Sequence, residues 1–324
     1  MSVYKYVSPE AALRYLSTWA LRITPPDQFN DPFELRPRFT GLTEGYFQRQ
    51  GPQALARELK AQVVPVLSTL GLANLPAEAT DALADYLLGT LSAERQASFL
   101  DAYQTVVGEE MRSKISQLRE SIAPVIENIW KSAREVLPTV NRALEERMQS
   151  MLPKMLGILC LSRSGKHSLM WSHYAESHSG ALLEFDDGNA TFRRKRSSVD
   201  EFGFLRTVRY SDTRPTLGAD DTEEDSFANL ALTKALEWAY EQEVRWLWPL
   251  EEADKIVKAA SGEVHLITVP ASALRSITLG CKATDKFVEQ VASSLRGNRE
   301  AIHVKIKRAH IDAEHFALNY LPLA

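Results

Sequence analysis

A long segment with a helical pattern, from Leu42 to Leu156, divides this chain into two parts. Its apolar residues recur mostly at three- and four-residue steps, which is typical of amphipathic helices. They include Leu118, Ile122, Val125, Ile129, Val136, Val140, Leu144, Met148 and Met151. Because Pro124 and Pro138 must kink or divide the segment, one uninterrupted coiled coil is not expected. The pattern predicts an all-helical insert at 42–156, whose apolar stripe packs internally or binds a protein partner.

The flanking segments, 1–41 and 157–324, carry short strand patterns interrupted by helices. Strands are predicted at 3–6, 20–23, 158–162, 181–186, 205–210, 244–248, 264–269, 276–279 and 301–306. Helices are predicted after Ser8-Pro9-Glu10, from Met170 to Ala175, up to Trp238 and at 284–296. We therefore predict an α+β core domain with a mixed or antiparallel sheet, split in sequence by the helical insert.

The segment from Trp238 to Trp248 places two carboxylates where a helix is expected to become a buried strand. If Glu241 and Glu243 both open that strand, they project from the same face. Like charges that close resist double ionisation, which raises one pKa and suits acid, base or electrostatic chemistry. The alternative is a pair of solvated edge charges, one of them paired with Arg245 or with a lysine elsewhere in the chain.

Two further segments carry candidate site residues. Asn30 and Asp31 precede a proline between two phenylalanines, a sequence suited to a tight turn that could also bind a ligand. Trp171, Tyr174 and His178 follow at three- and four-residue steps, so they are expected on one helical face, either as packing residues or as a binding surface. His178 would lie near the helix end, where its protonated form is stabilised.

Composition excludes several classes of protein. The net charge of −4 and the pI near 6.0 argue against a general nucleic-acid coat. No apolar window is long enough to cross a membrane and no export signal is recognised, so a cytoplasmic location is expected. Glycine-rich nucleotide motifs are missing. Cys160 and Cys281 are interpreted as reduced core residues.

Two charged groups of residues leave other functions open. The run Arg193, Arg194, Lys195 and Arg196 is a solvated loop or a site for a nucleic-acid backbone. No histidine pair has zinc-ligand spacing, and no metal is expected. However, the acidic residues Asp31, Glu34, Glu241 and Glu243 could gather magnesium, which makes a metal-dependent nuclease one alternative. A non-catalytic module that binds a ligand or a protein is the other.

Four ordered blocks resemble a bacterial family catalogued as domain of unknown function 2971. The blocks are Val3–Tyr6, Phe29–Glu34, Met170–Ala175 with His178 and Gly180, and Trp238–Arg245. The family carries no established reaction.

The chain also resembles ADP-ribosyltransferase folds, including the DNA-modifying toxin type. The resemblance implies NAD as a substrate, with Glu243 stabilising the sugar cation and Glu241 orienting the acceptor. The residues expected to bind NAD are Tyr4, Lys5, Tyr6, Asn30, Asp31, Trp171, Tyr174, His178 and Arg245. Lys5 stands where many members have histidine or arginine. The acceptor would be a nucleic acid, reached through the run Arg193–Arg196, or a protein, and similar folds imply a toxin or phage-defence role.

Overall fold

The computed structural model describes residues 1–36, 38–39, 82–83, 85–87, 93–195, 197, 200–217, 230–259 and 262–323. Predictions for residues 42–81 of the helical insert lie outside this description. The chain divides into two compact units. The first comprises Met1–Arg38, Glu146–Pro215 and Glu223–Ala324, and the second comprises Phe39–Glu145 and Thr216–Thr222.

The structure gives both ends of fifteen strands and four α-helices, and residues 82–83 and 85–87 are helical as well. The strands are β1 (Ser2–Val7), β2 (Ala20–Ile23), β3 (Arg38–Phe39), β4 (Leu156–Ser162), β5 (Ala181–Asp186), β6 (Leu205–Thr207), β7 (Arg209–Ser211), β8 (Thr216–Leu217), β9 (Thr233–Ala235), β10 (Glu243–Pro249), β11 (Lys255–Ala259), β12 (Gly262–Thr268), β13 (Leu274–Leu279), β14 (Lys305–Ile311) and β15 (Leu318–Pro322). The α-helices are α1 (Pro9–Thr18), α2 (Ala93–Met155), α3 (Ser168–Tyr174) and α4 (Asp285–Arg296).

An eight-stranded sheet organises the first unit, in the order β15-β14-β13-β5-β1-β4-β10-β6. Its strands pair antiparallel except for β13 and β14, which are parallel. A second sheet has the order β11-β12-β2. This mixed sheet with helices confirms the predicted α+β class.

The core forms where apolar strand and helix faces meet. Helix α1 begins at Pro9 and is capped by Ser8, whose hydroxyl accepts a hydrogen bond from the backbone N–H of Ala11. It buries Tyr15 and Leu16 in the main core. Strand β10 is buried from Glu243 to Trp248, because β4 and β6 cover its two edges and its side chains enter two core clusters, Trp246 and Trp248 in one and Leu247 in the other.

Three predictions about secondary structure are wrong. The helix expected to close at Trp238 is instead strand β9 followed by a 3₁₀ helix over Leu236–Glu241. The strand expected over 205–210 is two strands, because β6 pairs with β10 whereas β7 pairs in parallel with β9. The strand expected over 301–306 begins only at Lys305, because Arg299–Ala301 form a 3₁₀ helix. Helix α2 continues through Pro124 and Pro138, so the segment is not divided there.

Candidate functional site

The candidate site lies where β1 and β4 separate. Strand β1 pairs with β5 along its whole length, from Ser2↔Asp186 to Val7↔Ala181, but it pairs with β4 at Tyr4↔Ser162. A cavity of about 420 Å³ lies here, lined from both strands, from the loop at 24–34, from α3 and from the segment before β10. This volume is in the range of small-molecule sites.

Strand β1 contributes Tyr4, Lys5 and Tyr6 to the cavity wall. The other predicted residues at the wall are Asn30, Tyr174, Glu241 and Glu243. The first strand, the middle helix and the late acidic segment thus meet in one cavity.

Glu241 and Glu243 do not share a strand face as predicted. Glu241 ends the 3₁₀ helix, Gln242 has a left-handed backbone with φ of 45°, and β10 begins at Glu243. Both side chains are nevertheless buried at the cavity. They converge because a lysine lies between them.

Lys234, on β9, is the centre of this charge cluster. Its ammonium lies 2.7 Å from Glu241, 3.3 Å from Glu243 and 3.8 Å from Glu34. Burial opposes the charge on Lys234, but the carboxylates of Glu243 and Glu241 outweigh it and raise the pKa of Lys234. The ring of Trp238 lies 4.8 Å from the same ammonium.

Glu243 is also bound by Arg245. The guanidinium donates from Nε to one oxygen of Glu243 at 2.9 Å and from Nη2 to the other at 3.1 Å. Arg245 further pairs with Glu34 and donates to the carbonyl of Ala231 at 2.6 Å. Burial raises the pKa of Glu243, against the effect of Lys234. Arg245 has no exposed surface and does not line the cavity. Its predicted role in holding phosphates stays a prediction.

Glu241 is bound on its other oxygen by a tyrosine. The hydroxyl of Tyr174 donates to Oε1 at 2.6 Å, while Lys234 donates to Oε2. Burial, and then the hydrogen bond to Glu241, raise the pKa of Tyr174. Asn30 reaches the Tyr174 hydroxyl at 3.4 Å. The backbone of Glu241 is fixed as well, since its carbonyl accepts from the hydroxyl of Ser162 at 2.5 Å.

Lys5 on β1 and Cys160 on β4 both line the cavity and are in contact with each other. The ammonium of Lys5 donates to the carbonyl of Cys160 at 2.9 Å. Burial lowers the pKa of Lys5 and raises that of the Cys160 thiol. Cys160 and Cys281 are free and half-buried, and Cys160 packs against the buried cluster that contains Ile158 and Leu247.

Trp171 and His178 lie outside the cavity wall. Trp171 has no exposed surface, packs edge-on against Tyr6 at 5.4 Å and donates to the hydroxyl of Tyr320 at 2.8 Å. Helix α3 ends at Tyr174, and His178 follows in a left-handed backbone, so it does not extend the helical face. Burial, and then Lys282, lower the pKa of His178, which disfavours the protonated form that was expected.

Asp31 and the basic run are also away from the cavity wall. One oxygen of the buried Asp31 accepts from the backbone of Phe33 at 2.9 Å, which is the predicted turn. Arg194 lies against Trp246 and donates to the carbonyl of Thr268, and Lys195 lies over Phe204. Arg193 is exposed, and Arg196 lies outside the described residues.

Sequence reasoning missed Lys234, Tyr210 and His173. The hydroxyl of Tyr210 accepts from the backbone of Glu243 at 2.7 Å, and His173 lines the cavity. Lys234 lies seven residues before Glu241, close enough in sequence for the two to be considered as an ion pair. Because the segment was interpreted as an amphipathic helix, this pairing was not predicted.

The charge cluster bears on the magnesium alternative. In the described part of the chain, no group of three or more His, Cys, Asp or Glu side chains has the arrangement of a metal site. The ammonium of Lys234 occupies the position between the carboxylates that a cation would take.

No described helix is long and apolar enough to span a membrane.

Residues 170–246 match the model of a family described as protein of unknown function (DUF2971). This match confirms the predicted resemblance to that family. It contains Tyr174, Lys234, Glu241 and Glu243, whereas β1, β4 and the loop at 24–34 lie outside it. Comparisons with curated proteins and with solved structures gave no match, so the resemblance to ADP-ribosyltransferases stays a prediction.

Proposed function

We propose that this protein is an enzyme that binds NAD in the cavity between β1 and β4 and transfers ADP-ribose to an acceptor. The observation that carries the proposal is the carboxylate of Glu241, which lines the cavity and is held by Lys234 at 2.7 Å and by Tyr174 at 2.6 Å. A charged group that is fixed before the reaction stabilises developing charge without reorganising.

In the proposed reaction the bond between C1 of the ribose and the ring nitrogen of nicotinamide breaks, and its electron pair leaves with nicotinamide. The sugar then carries positive charge beside Glu241. An oxygen or nitrogen of the acceptor forms the new bond to C1 and releases its proton to solvent. The acceptor is a nucleic acid or a protein.

The contacts of the two glutamates favour Glu241 for the sugar cation, in place of Glu243. Glu243 is paired with two cations, Arg245 and Lys234, whereas Glu241 is paired with Lys234 and accepts its other hydrogen bond from the neutral hydroxyl of Tyr174. Glu241 therefore keeps more uncompensated negative charge for the sugar cation. We assign Glu243 the role of holding Lys234, which in turn positions Glu241.

The aromatic residues of the wall support the same ligand. Tyr4, Phe29 and His173 line the cavity beside the charged residues. Flat rings bury large apolar areas and pack against other rings, which suits nicotinamide and adenine.

The test is incubation of the protein with labelled NAD and total cell extract, with release of nicotinamide and transfer of label both measured. Glu241→Gln should lower turnover about a hundredfold or more, because loss of one preorganised group costs about 3 kcal/mol. The matched control is Glu237→Gln, an exposed glutamate of the same 3₁₀ helix, which should keep activity.

Two results would contradict the proposal. Equal turnover in the parent and in Glu241→Gln would remove the role of this carboxylate. A parent protein whose melting temperature rises with NAD, but which releases no nicotinamide, would be a binding module rather than an enzyme.

A further inference from the structure

A second cavity, of about 390 Å³, lies against one face of the eight-stranded sheet. Its floor is formed by residues that are paired across neighbouring strands, since Glu184 is opposite Tyr4 and Lys307 is opposite Thr278. Residues paired in this way point to the same face of a sheet. The loop at 163–166 lines the cavity as well. The volume is in the range of small-molecule sites.

The second cavity is a neighbour of the first one, which lies between β1 and β4. Tyr4 lines both cavities, and Gly165 packs so closely on its ring that a Cβ at Gly165 would lie 2.8 Å from it. Gln242 lines the second cavity, whereas Glu241 and Glu243, before and after it in sequence, line the first. The second cavity is therefore separate from the charge cluster around the two glutamates.

Positive charge predominates in the wall of the second cavity. Arg163, Lys166 and Lys307 line it together with a single carboxylate, that of Glu184. The two oxygens of Glu184 accept hydrogen bonds from serine hydroxyls at 2.8 and 2.6 Å, and the ammonium of Lys307 lies farther away, at 3.4 Å. Arg163 pairs with Asp187. Lys166 is exposed and has no ion pair with the described residues, so its charge is available to a ligand.

A buried hydroxyl lines the same cavity. Thr278, on β13, is 2% exposed, and its hydroxyl has no hydrogen-bond partner in the part of the chain that the structure describes. Buried polar groups are normally hydrogen-bonded, so a ligand atom is the expected partner. The hydroxyl can donate to an anion, and Lys307, directly opposite Thr278 in the sheet, places positive charge beside it.

Lysine ammonium groups beside a neutral donor are suited to a phosphate group. A phosphomonoester offers three acceptor oxygens and almost two negative charges at neutral pH. We infer that the second cavity binds the phosphate group of a ligand, with Lys166 and Lys307 meeting its charge and Thr278 donating to one of its oxygens. This inference goes beyond the proposed function, because it involves neither NAD nor the transfer of ADP-ribose. No covalent bond forms or breaks.

The phosphate can belong to a small molecule or to the backbone of a nucleic acid, and two probes distinguish these sources. The full chain is titrated calorimetrically with ribose 5-phosphate at about pH 8, where a phosphomonoester is doubly charged. A second titration uses single-stranded oligothymidylate without terminal phosphates. Ribose is the matched ligand without phosphate, and it should show no binding.

Lys166→Glu should weaken phosphate binding by at least about tenfold, because it replaces an attractive charge with a repulsive one. The matched control is Lys255→Glu, which changes the net charge equally but lies on β11, outside this cavity wall, and should keep the parent affinity. Thr278→Val keeps the shape of the side chain and should weaken binding by about two- to tenfold, as expected when one hydrogen bond is lost. The melting temperature of each variant is measured to show that it is folded.

Ribose 5-phosphate binding that is lost in Lys166→Glu and kept in Lys255→Glu would support a small phosphorylated ligand. The same pattern with oligothymidylate alone would support a nucleic-acid backbone at the same site. Absence of binding for both probes, or equal affinity in the parent and Lys166→Glu, would overturn the inference. Binding that falls in Lys5→Met but not in Lys166→Glu would place the phosphate in the first cavity and would overturn it too. All these titrations omit NAD, so their failure and the failure of the transfer assay are separate results.

Discussion

Arg245 lies two residues after Glu243 on the same buried strand and donates to both of its carboxylate oxygens, at 2.9 and 3.1 Å. Residues two apart in a strand point to the same side, so this pair follows directly from the sequence once the strand is known. Because Arg245 also pairs with Glu34, it holds the loop at 24–34 against the sheet. The pair is thus part of the support for the cavity.

Arg245→Met should lower the free energy of unfolding by about 3–5 kcal/mol, because it leaves buried carboxylates without their partner. Denaturant unfolding measures this change. The control is Arg14→Met, which removes an exposed pair with Glu10 and should cost less than about 1 kcal/mol. If Arg245→Met lowered the free energy of unfolding by less than about 1 kcal/mol, the burial of Glu243 and Glu34 would not require their pairing with Arg245.

The ionisation of Tyr210 should lower the free energy of unfolding at high pH. Burial raises the pKa of Tyr210 to about 12, whereas an unfolded tyrosine titrates near 10. Because the pKa of Tyr210 is higher in the folded protein, its contribution to the free energy of unfolding is fully present below about pH 10, the approximate unfolded-state pKa. This contribution is lost as pH rises from about 10 through about 12. Tyr210→Phe should therefore weaken the fall of the unfolding free energy across that window. The same slope in the parent and in the variant would exclude Tyr210 as a contributor.

Gly180 is required by a close approach of two backbones. A Cβ at this position would lie 2.1 Å from the carbonyl oxygen of Val7, which cannot rotate away. Gly180→Ala should therefore destabilise the protein by about 1–3 kcal/mol, as overpacking does. Gly297→Ala is the control, since its nearest contact would be 3.4 Å and its backbone is helical. It should change stability by less than about 0.5 kcal/mol in the same thermal or denaturant measurement.

The strands around the cavity could be predicted because their sequences are locally consistent. Strands β2 and β5 have the predicted bounds, and β1 differs by one residue at each end. Each combines β-branched or aromatic residues with a clear turn signal beside it. The cavity walls were therefore accessible to sequence reasoning, and so was the group of residues from β1, α3 and the segment around Glu243.

The charge cluster could not be predicted, because it depends on long-range contacts. The segment before Glu241 has a helix-like apolar spacing, but β9 pairs with β7 and thereby places Lys234 between the glutamates. Tertiary pairing overrode local propensity at this point. The prediction that His178 lies on the helical face of Trp171 and Tyr174 was wrong for a related reason. Three residues with left-handed backbones, Glu176 to His178, turn the chain away from α3.

Tyr174→Phe tests whether Glu241 must be held in place for turnover. The variant keeps the ring but loses the donor that lies 2.6 Å from Oε1 of Glu241. A hydrogen bond to a charged group contributes about 1.5–3 kcal/mol, so kcat for nicotinamide release should fall by about ten- to a hundredfold. Because the ring remains, KM for NAD should change little, whereas the melting temperature should fall by a few degrees because a buried carboxylate oxygen loses its donor.

Tyr240→Phe is the control for this measurement. The ring of Tyr240 stacks on His167 at 4.9 Å, and its hydroxyl has no hydrogen-bond partner in the described part of the chain. Its removal should therefore leave kcat unchanged. If Tyr174→Phe and Tyr240→Phe both kept the parent kcat, a fixed Glu241 would not be needed for the reaction. If Tyr174→Phe raised KM and left kcat intact, Tyr174 would act in binding NAD rather than in positioning the carboxylate.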